Sequence, residues 1–267
     1  MKKGLKSIII FISIFALYLI QSCSSVPITG RKQLSMVSNS EIISLSSTEY
    51  QKVLASSQLS NDQQQVQMVK TVGNRIKTAV ETYMNNNGLG ASLDGFNWEF
   101  NLIDEPTVNA WAMPGGKVAF YTGIMPICQD EKGVAVVMGH EVAHAIANHG
   151  RERMSQSLVL QFGMSSLSMA MGQDPSLTEQ IFLQSVGVGS QLGMLKYGRT
   201  HESEADKIGL IFMAIAGYDP RVAPEFWERM NSGGSQQPEW LSTHPSHETR
   251  ISDLNASMEE ALTYYNK

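Results

Sequence analysis

Hydrophobic positions change period twice along the chain, and the changes mark out its organisation. Val66, Met68, Val69, Val72, Ile76, Val80 and Met84 recur every three or four places, the spacing that lines one face of a helix. Asp62 stands where an N-cap belongs, and Asn85-Asn86-Asn87-Gly88 supplies the stop. An earlier helix is predicted from Ser40 onward, with Ile42, Ile43, Leu45, Tyr50, Val53 and Leu54 as its apolar series. The period then falls to two. Phe96, Trp98, Phe100 and Leu102 alternate with Asn97, Glu99 and Asn101, the pattern of a half-buried strand, and Pro106 closes it. Two further short strands, 109–113 and 117–121, flank the turn Pro114-Gly115-Gly116. A small antiparallel sheet is the economical arrangement. Beyond Gly123 helical spacing returns, predicting helices over 131–149, 151–171, 178–195, 202–215, 220–230 and 246–265, with a polar loop at 231–238. The fold class is α+β and predominantly α-helical.

Two segments depart from this pattern. The stretch 154–172 mixes Leu158, Leu160, Phe162 and several methionines with Gln156, Gln161, Ser165, Ser166 and Ser168. It reads as a core or protein-contact helix, with membrane embedding as the other reading, since methionine adapts to irregular apolar surfaces. At the start, Lys2, Lys3 and Lys6 precede an apolar run over 7–20, shorter than the roughly 20 residues that a permanent span needs. Residues 1–22 therefore read as a signal peptide. Cys23 after Ile20-Gln21-Ser22 resembles the attachment box of bacterial lipoproteins, in which the cysteine becomes the first residue and carries lipid; ordinary secretion and an uncleaved anchor are the rivals. That resemblance implies a membrane contact through the N-terminal lipid. Ser24, where aspartate would signal inner-membrane retention, leans the expectation to the outer membrane, facing the periplasm. Residues 23–39 read as a tether or surface-hugging arm, and 40–267 as a single domain. Cys128 is the only other cysteine, so with Cys23 lipidated the core must stabilise the fold without an intrachain disulfide. The net charge of −5 becomes more negative without the three signal lysines and excludes nucleic acid as a natural partner.

The candidate chemistry lies in His140-Glu141-Val142-Ala143-His144. Residues four apart on a helix share a face, so His140 and His144 can aim two imidazoles at one Zn²⁺. Glu141, about 100° round the helix, is placed to act as general base. Satisfied core histidines are the bland alternative, yet two imidazoles and a carboxylate are costly to bury in so apolar a helix without partners. A hydrolytic zinc site takes three protein ligands and keeps a fourth position for water. His149 would lie about 140° from His144 on a continuous helix and reads as a surface or helix-end residue. Glu202, in His201-Glu202-Ser203-Glu204-Ala205-Asp206, is the better third ligand. Asp206, one turn on, can accept a hydrogen bond from the far nitrogen of a ligand histidine. Glu204 points elsewhere and reads as solvated. Acidic residues favour helix starts regardless of metal, and only the first motif gives this cluster its meaning.

The two motifs together resemble the M48 zinc metallopeptidases, above all their Oma1-like, lipoprotein-type members. Tyr197-Gly198-Arg199 before the third ligand, Asn109-Ala110-Trp111-Ala112-Met113-Pro114-Gly115-Gly116 with Tyr121-Thr122-Gly123, Val26-Pro27-Ile28-Thr29-Gly30-Arg31 and Thr243-His244-Pro245 extend the resemblance over nearly all of the chain after residue 22. Gly198 stands where serine is common in the family. The resemblance implies a zincin-like fold with the small antiparallel sheet beside the metal-binding helix. It implies one Zn²⁺ per chain on His140, His144 and Glu202, Glu141 as general base, and Asp206 behind a ligand. His244 and Arg199 are candidates to steady an oxyanion. His244 reads equally as a loop histidine, and Arg199 as a structural partner of Glu202 or Asp206. The strands over 111–121 could pair with an extended substrate. The expected function is a zinc metalloendopeptidase acting on unfolded or extended polypeptide, in quality control of envelope proteins. The alternatives are a peptidase-fold chaperone that works with envelope assembly proteins, its proteolysis gated or weak, and a processing protease with one dedicated substrate.

Overall fold

Helix starts follow their capping residues. Ser38 opens α1 (Asn39–Ser56) with a capping box to Glu41, and Asp62 accepts from the Gln64 and Gln65 amides at the head of α2 (Gln63–Asn86). The computed structural model describes residues 23–162, 175–187, 198–232, 239–244 and 249–265. The segment 1–22 read as a signal peptide, Tyr197, Pro245, most of the polar loop and the second half of the 154–172 stretch lie outside the described residues.

The sheet contains β3 (Glu99–Ile103), β4 (Ala110–Met113) and β5 (Lys117–Tyr121) in the order β3-β5-β4. Strands β4 and β5 are antiparallel, as expected, but β3 and β5 run parallel. The loop after Ile103 carries the chain beyond the place beside β3, and the Pro114-Gly115-Gly116 turn brings β5 back into it. With both its edges taken, β5 cannot accept a further strand; the outer edge of β4 is all that the sheet offers on that side.

The short α3 (Met125–Cys128) leads into α4 (Glu131–Ile146), capped by Asp130 and buried along its whole length from Gly133. The chain continues as α5 (His149–Phe162), α6 (Pro175–Val186), α7 (Arg199–Ile215), α8 (Ala223–Ser232), α9 (Glu239–Thr243) and α10 (Arg250–Leu262). Helix α4 is the centre of the molecule, packed by α2, β4 and α7, and α10 covers α7. Glycines bring α4 and α7 into backbone contact. A Cβ on Gly139 would stand 2.9 Å from the Gly209 carbonyl oxygen, and one on Gly209 would stand 2.9 Å from the His140 amide nitrogen. This crossing sits beside His140 and two turns after Glu202, so it fixes the spacing of the two motifs.

Strands β1 (Cys23–Ser25) and β2 (Lys32–Leu34) form an antiparallel hairpin. Val26 is buried, and the Met36 amide donates to Ser155 Oγ at 3.0 Å. The segment read as a tether thus lies docked on α5 and α7. Among the described residues, no helix is long and apolar enough to cross a membrane.

Candidate metal centre

Four side chains from three parts of the chain meet in the interior. His140 and His144 project from one face of α4, Glu202 from the first turn of α7, and His244 follows α9. One donor atom from each lies within 4.8 Å of all the others. His140 Nε2 is 3.0 Å from His144 Nε2 and 3.2 Å from His244 Nδ1. Glu202 oxygens stand 3.6, 3.4 and 3.2 Å from His140, His144 and His244. A tetrahedral zinc centre with bonds of about 2.1 Å has ligand edges of about 3.4 Å, so these separations fit one ion at the middle.

The proton positions support the same fit. His140 Nδ1 lies 2.8 Å from Asp206 Oδ1. A carboxylate only accepts, so Nδ1 carries the hydrogen and the inward Nε2 is a bare lone pair. His149 Nε2 donates to Glu204 Oε2 at 2.9 Å. Its Nδ1 must then accept from His144 Nδ1 at 2.8 Å, which leaves His144 Nε2 bare as well. Two bare nitrogens 3.0 Å apart repel unless a cation lies between them. Among the described residues Glu202 Oε2, which is buried, accepts no hydrogen bond, although Arg250 Nη1 lies 3.3 Å away. The donor set is that of a divalent ion with a preference for nitrogen and oxygen ligands.

Charge in the pocket is balanced by few groups. Burial raises the Glu202 carboxyl, but its polar neighbours His244, His144 and His140 hold it well below its ordinary value. Burial likewise works against ionised Asp206, and Arg250 and His140 outweigh it. Burial drives His144 well below the usual imidazole range and pushes His149 down to about 4, so both are neutral near pH 7. Glu204, despite burial, is lowered to about 2 by bonds from His149, Thr29 and Arg31.

Several side chains stand elsewhere than the sequence suggested. Arg199 is exposed on the first turn of α7; Arg250 fills the role considered for it, donating to Asp206 at 2.7 Å with its guanidinium 3.4 Å from the Trp227 ring centroid. His149 is not a surface residue. Helix α4 stops at Ile146 and Asn148 takes a φ of 59°, which turns the chain and returns His149 to His144. Glu204 is not solvated: it is 8 % exposed and tied to the same histidine. Trp240 went unnoticed in the sequence, yet its Nε1 donates to Glu141 Oε1 at 2.8 Å and its ring stacks on His244. Nothing local marks Arg250 or Trp240 as part of this centre, because both reach it only through tertiary packing. His244 is fully enclosed beside the other donors, so the loop-histidine reading does not hold.

The model of peptidase family M48 matches residues 70–258. The chain is 38 % identical over 179 residues to the mitochondrial metalloendopeptidase OMA1 of Arabidopsis thaliana, covering 65 % of this chain and 34 % of that protein. It is 31 % identical over 244 residues to the human mitochondrial metalloendopeptidase OMA1, covering 88 % of this chain and 46 % of the relative. It is 30 % identical over 164 residues to the beta-barrel assembly-enhancing protease of Escherichia coli (strain K12), covering 58 % and 33 %. The chain spans half or less of the length of these curated relatives.

Proposed function

Because the chain belongs to peptidase family M48, we propose that it is a zinc-dependent metalloendopeptidase acting on misfolded or misassembled proteins of the bacterial cell envelope. The observation that carries this reading is the convergence of His140, His144 and Glu202 with inward lone pairs, one residue from the Glu141 carboxylate. Those three side chains would hold the ion. Bound zinc supplies Lewis acidity toward a scissile carbonyl and lowers the pKa of water. Glu141 accepts the proton of the attacking water and returns it to the leaving amine. Trp240 engages its Oε1 at 2.8 Å, which leaves Oε2 for that transfer. Asp206 fixes the tautomer of His140, and Arg250 offsets the paired charges of Asp206 and Glu202.

The centre as it stands is closed. His244 occupies the corner that a hydrolytic site keeps for water, and Trp240 covers Glu141. This favours gated proteolysis, in which residues 239–244 must withdraw, and at its extreme an assembly factor with little turnover. Hydrolysis of unfolded casein by the purified mature chain tests the reading. Cleavage should disappear with a chelator and return with Zn²⁺. Zinc-loaded protein that never cleaves, even with the 239–244 segment loosened by Trp240→Ala, would leave only the assembly-factor reading.

We place lipid on Cys23 and the domain at the outer membrane, facing the periplasm. The residues around Cys23 support this, as does likeness to a beta-barrel assembly-enhancing protease; envelope assembly proteins are the corresponding partners. Mass spectrometry of the mature N-terminal peptide should find acylated Cys23. An unmodified Cys23 would remove the anchor and leave the metal-site argument intact.

A further inference from the structure

The N-terminal arm reaches the metal-binding helix through side chains to which the peptidase reading gives no task. Arg31 donates from Nε to Glu204 Oε2 at 2.7 Å, and from Nη1 and Nη2 to the Glu152 oxygens at 3.1 and 2.8 Å. The Thr29 hydroxyl donates to the other Glu204 oxygen. Glu204 in turn holds His149, and His149 holds His144. His201 donates to Glu152 Oε2 at 3.0 Å, and its ring lies 4.6 Å from that of His149. His149 is fully enclosed and Glu204 nearly so, so water does not compete for these bonds. The carboxylate end of this line fixes every proton along it. A planar guanidinium is suited to span carboxylates on α5 and α7 at once, because its fork sets distance and angle together.

We infer that Arg31 and Thr29 are positioning residues for His144, acting through Glu204 and His149, so that docking of the arm sets the tautomer and ring orientation of a metal ligand. The inference rests on the proposed zinc site. Asp206 does the same for His140 through a single bond; for His144 the carboxylate of Glu204 acts through His149.

The test uses the full mature chain loaded with Co²⁺, whose visible absorption reports ligand geometry, with affinity measured by competition against a chelator. Arg31→Met and Thr29→Val should weaken metal binding about tenfold or more and shift the Co²⁺ absorption, with far-ultraviolet circular dichroism unchanged. Glu204→Ala should do the same, and Glu204→Gln, which keeps an oxygen acceptor for His149, should recover most of the affinity. An arm that loosens in Arg31→Met, seen as faster amide exchange over 23–34, with wild-type affinity and spectrum, overturns the inference and leaves the arm a clamp. If Arg31→Met does not fold, Thr29→Val and the Glu204 pair decide. Glu202→Ala runs alongside. Wild-type affinity in that variant removes the metal site itself; loss there, with wild-type values in the arm variants, removes only the role of the arm.

Discussion

At the scale of single residues, the two α4 histidines and Glu141 were legible because a helix makes spacing into geometry. Asp206 was legible for the same reason, being one turn from Glu202. What could not be read was whatever depended on a backbone turn or a distant element. The angle argument for His149 assumed an unbroken helix, and one residue at Asn148 with positive φ cancels it. Glu141→Gln should lower peptide turnover at least about a hundredfold while zinc content stays at one per chain, both measured on the same sample. Zinc loss in that variant would make Glu141 a ligand instead of a base. Asp206→Ala should weaken zinc about 10–100-fold in a competitive titration, because His140 then loses the acceptor 2.8 Å from its Nδ1. An unchanged constant would show that packing alone orients that ring.

At the scale of elements, period and capping residues located α1, α2, the three strands and α4 closely, while the order of the strands escaped. Alternation tells which residues face the core and is silent on which neighbour a strand takes, so the parallel β3–β5 pair was not visible. Nor was the crossing of α4 and α7, since Gly139 and Gly209 look like ordinary weak points in helices. Gly139→Ala tests that crossing. A methyl group 2.9 Å from a main-chain oxygen must push the helices apart, and overpacking of this kind costs about 1–3 kcal/mol. Urea unfolding should show a lower midpoint, and zinc affinity should fall with it because Glu202 rides on α7. An alanine that raises stability, as alanine does in an unconstrained helix, would contradict the crossing.

At the scale of the whole molecule, the arm, α5 and α7 are joined by ion pairs whose strength depends on pH. Burial works to raise the Glu152 carboxyl, yet His201 and Arg31 hold it down to about 2, against an ordinary value of 4.5. A depressed folded-state pKa stabilises fully above 4.5, and that contribution fades as pH falls from 4.5 towards 2. Unfolding midpoints should therefore drop over that interval, and Glu152→Gln should make the drop shallower; equal slopes would assign acid sensitivity to other carboxylates. The distances along the chain have a different consequence, one of timing. His144 and Arg250 are both needed to finish the centre, and synthesis at about 5–20 residues per second separates them by roughly 5–20 s. A newborn chain therefore carries its protease helix well before it carries the third ligand, the covering tryptophan or the balancing arginine. Until Glu202 is made the centre has at most two of its three ligands, and until Arg250 is made Asp206 lacks the guanidinium that stands 2.7 Å from it in the finished fold.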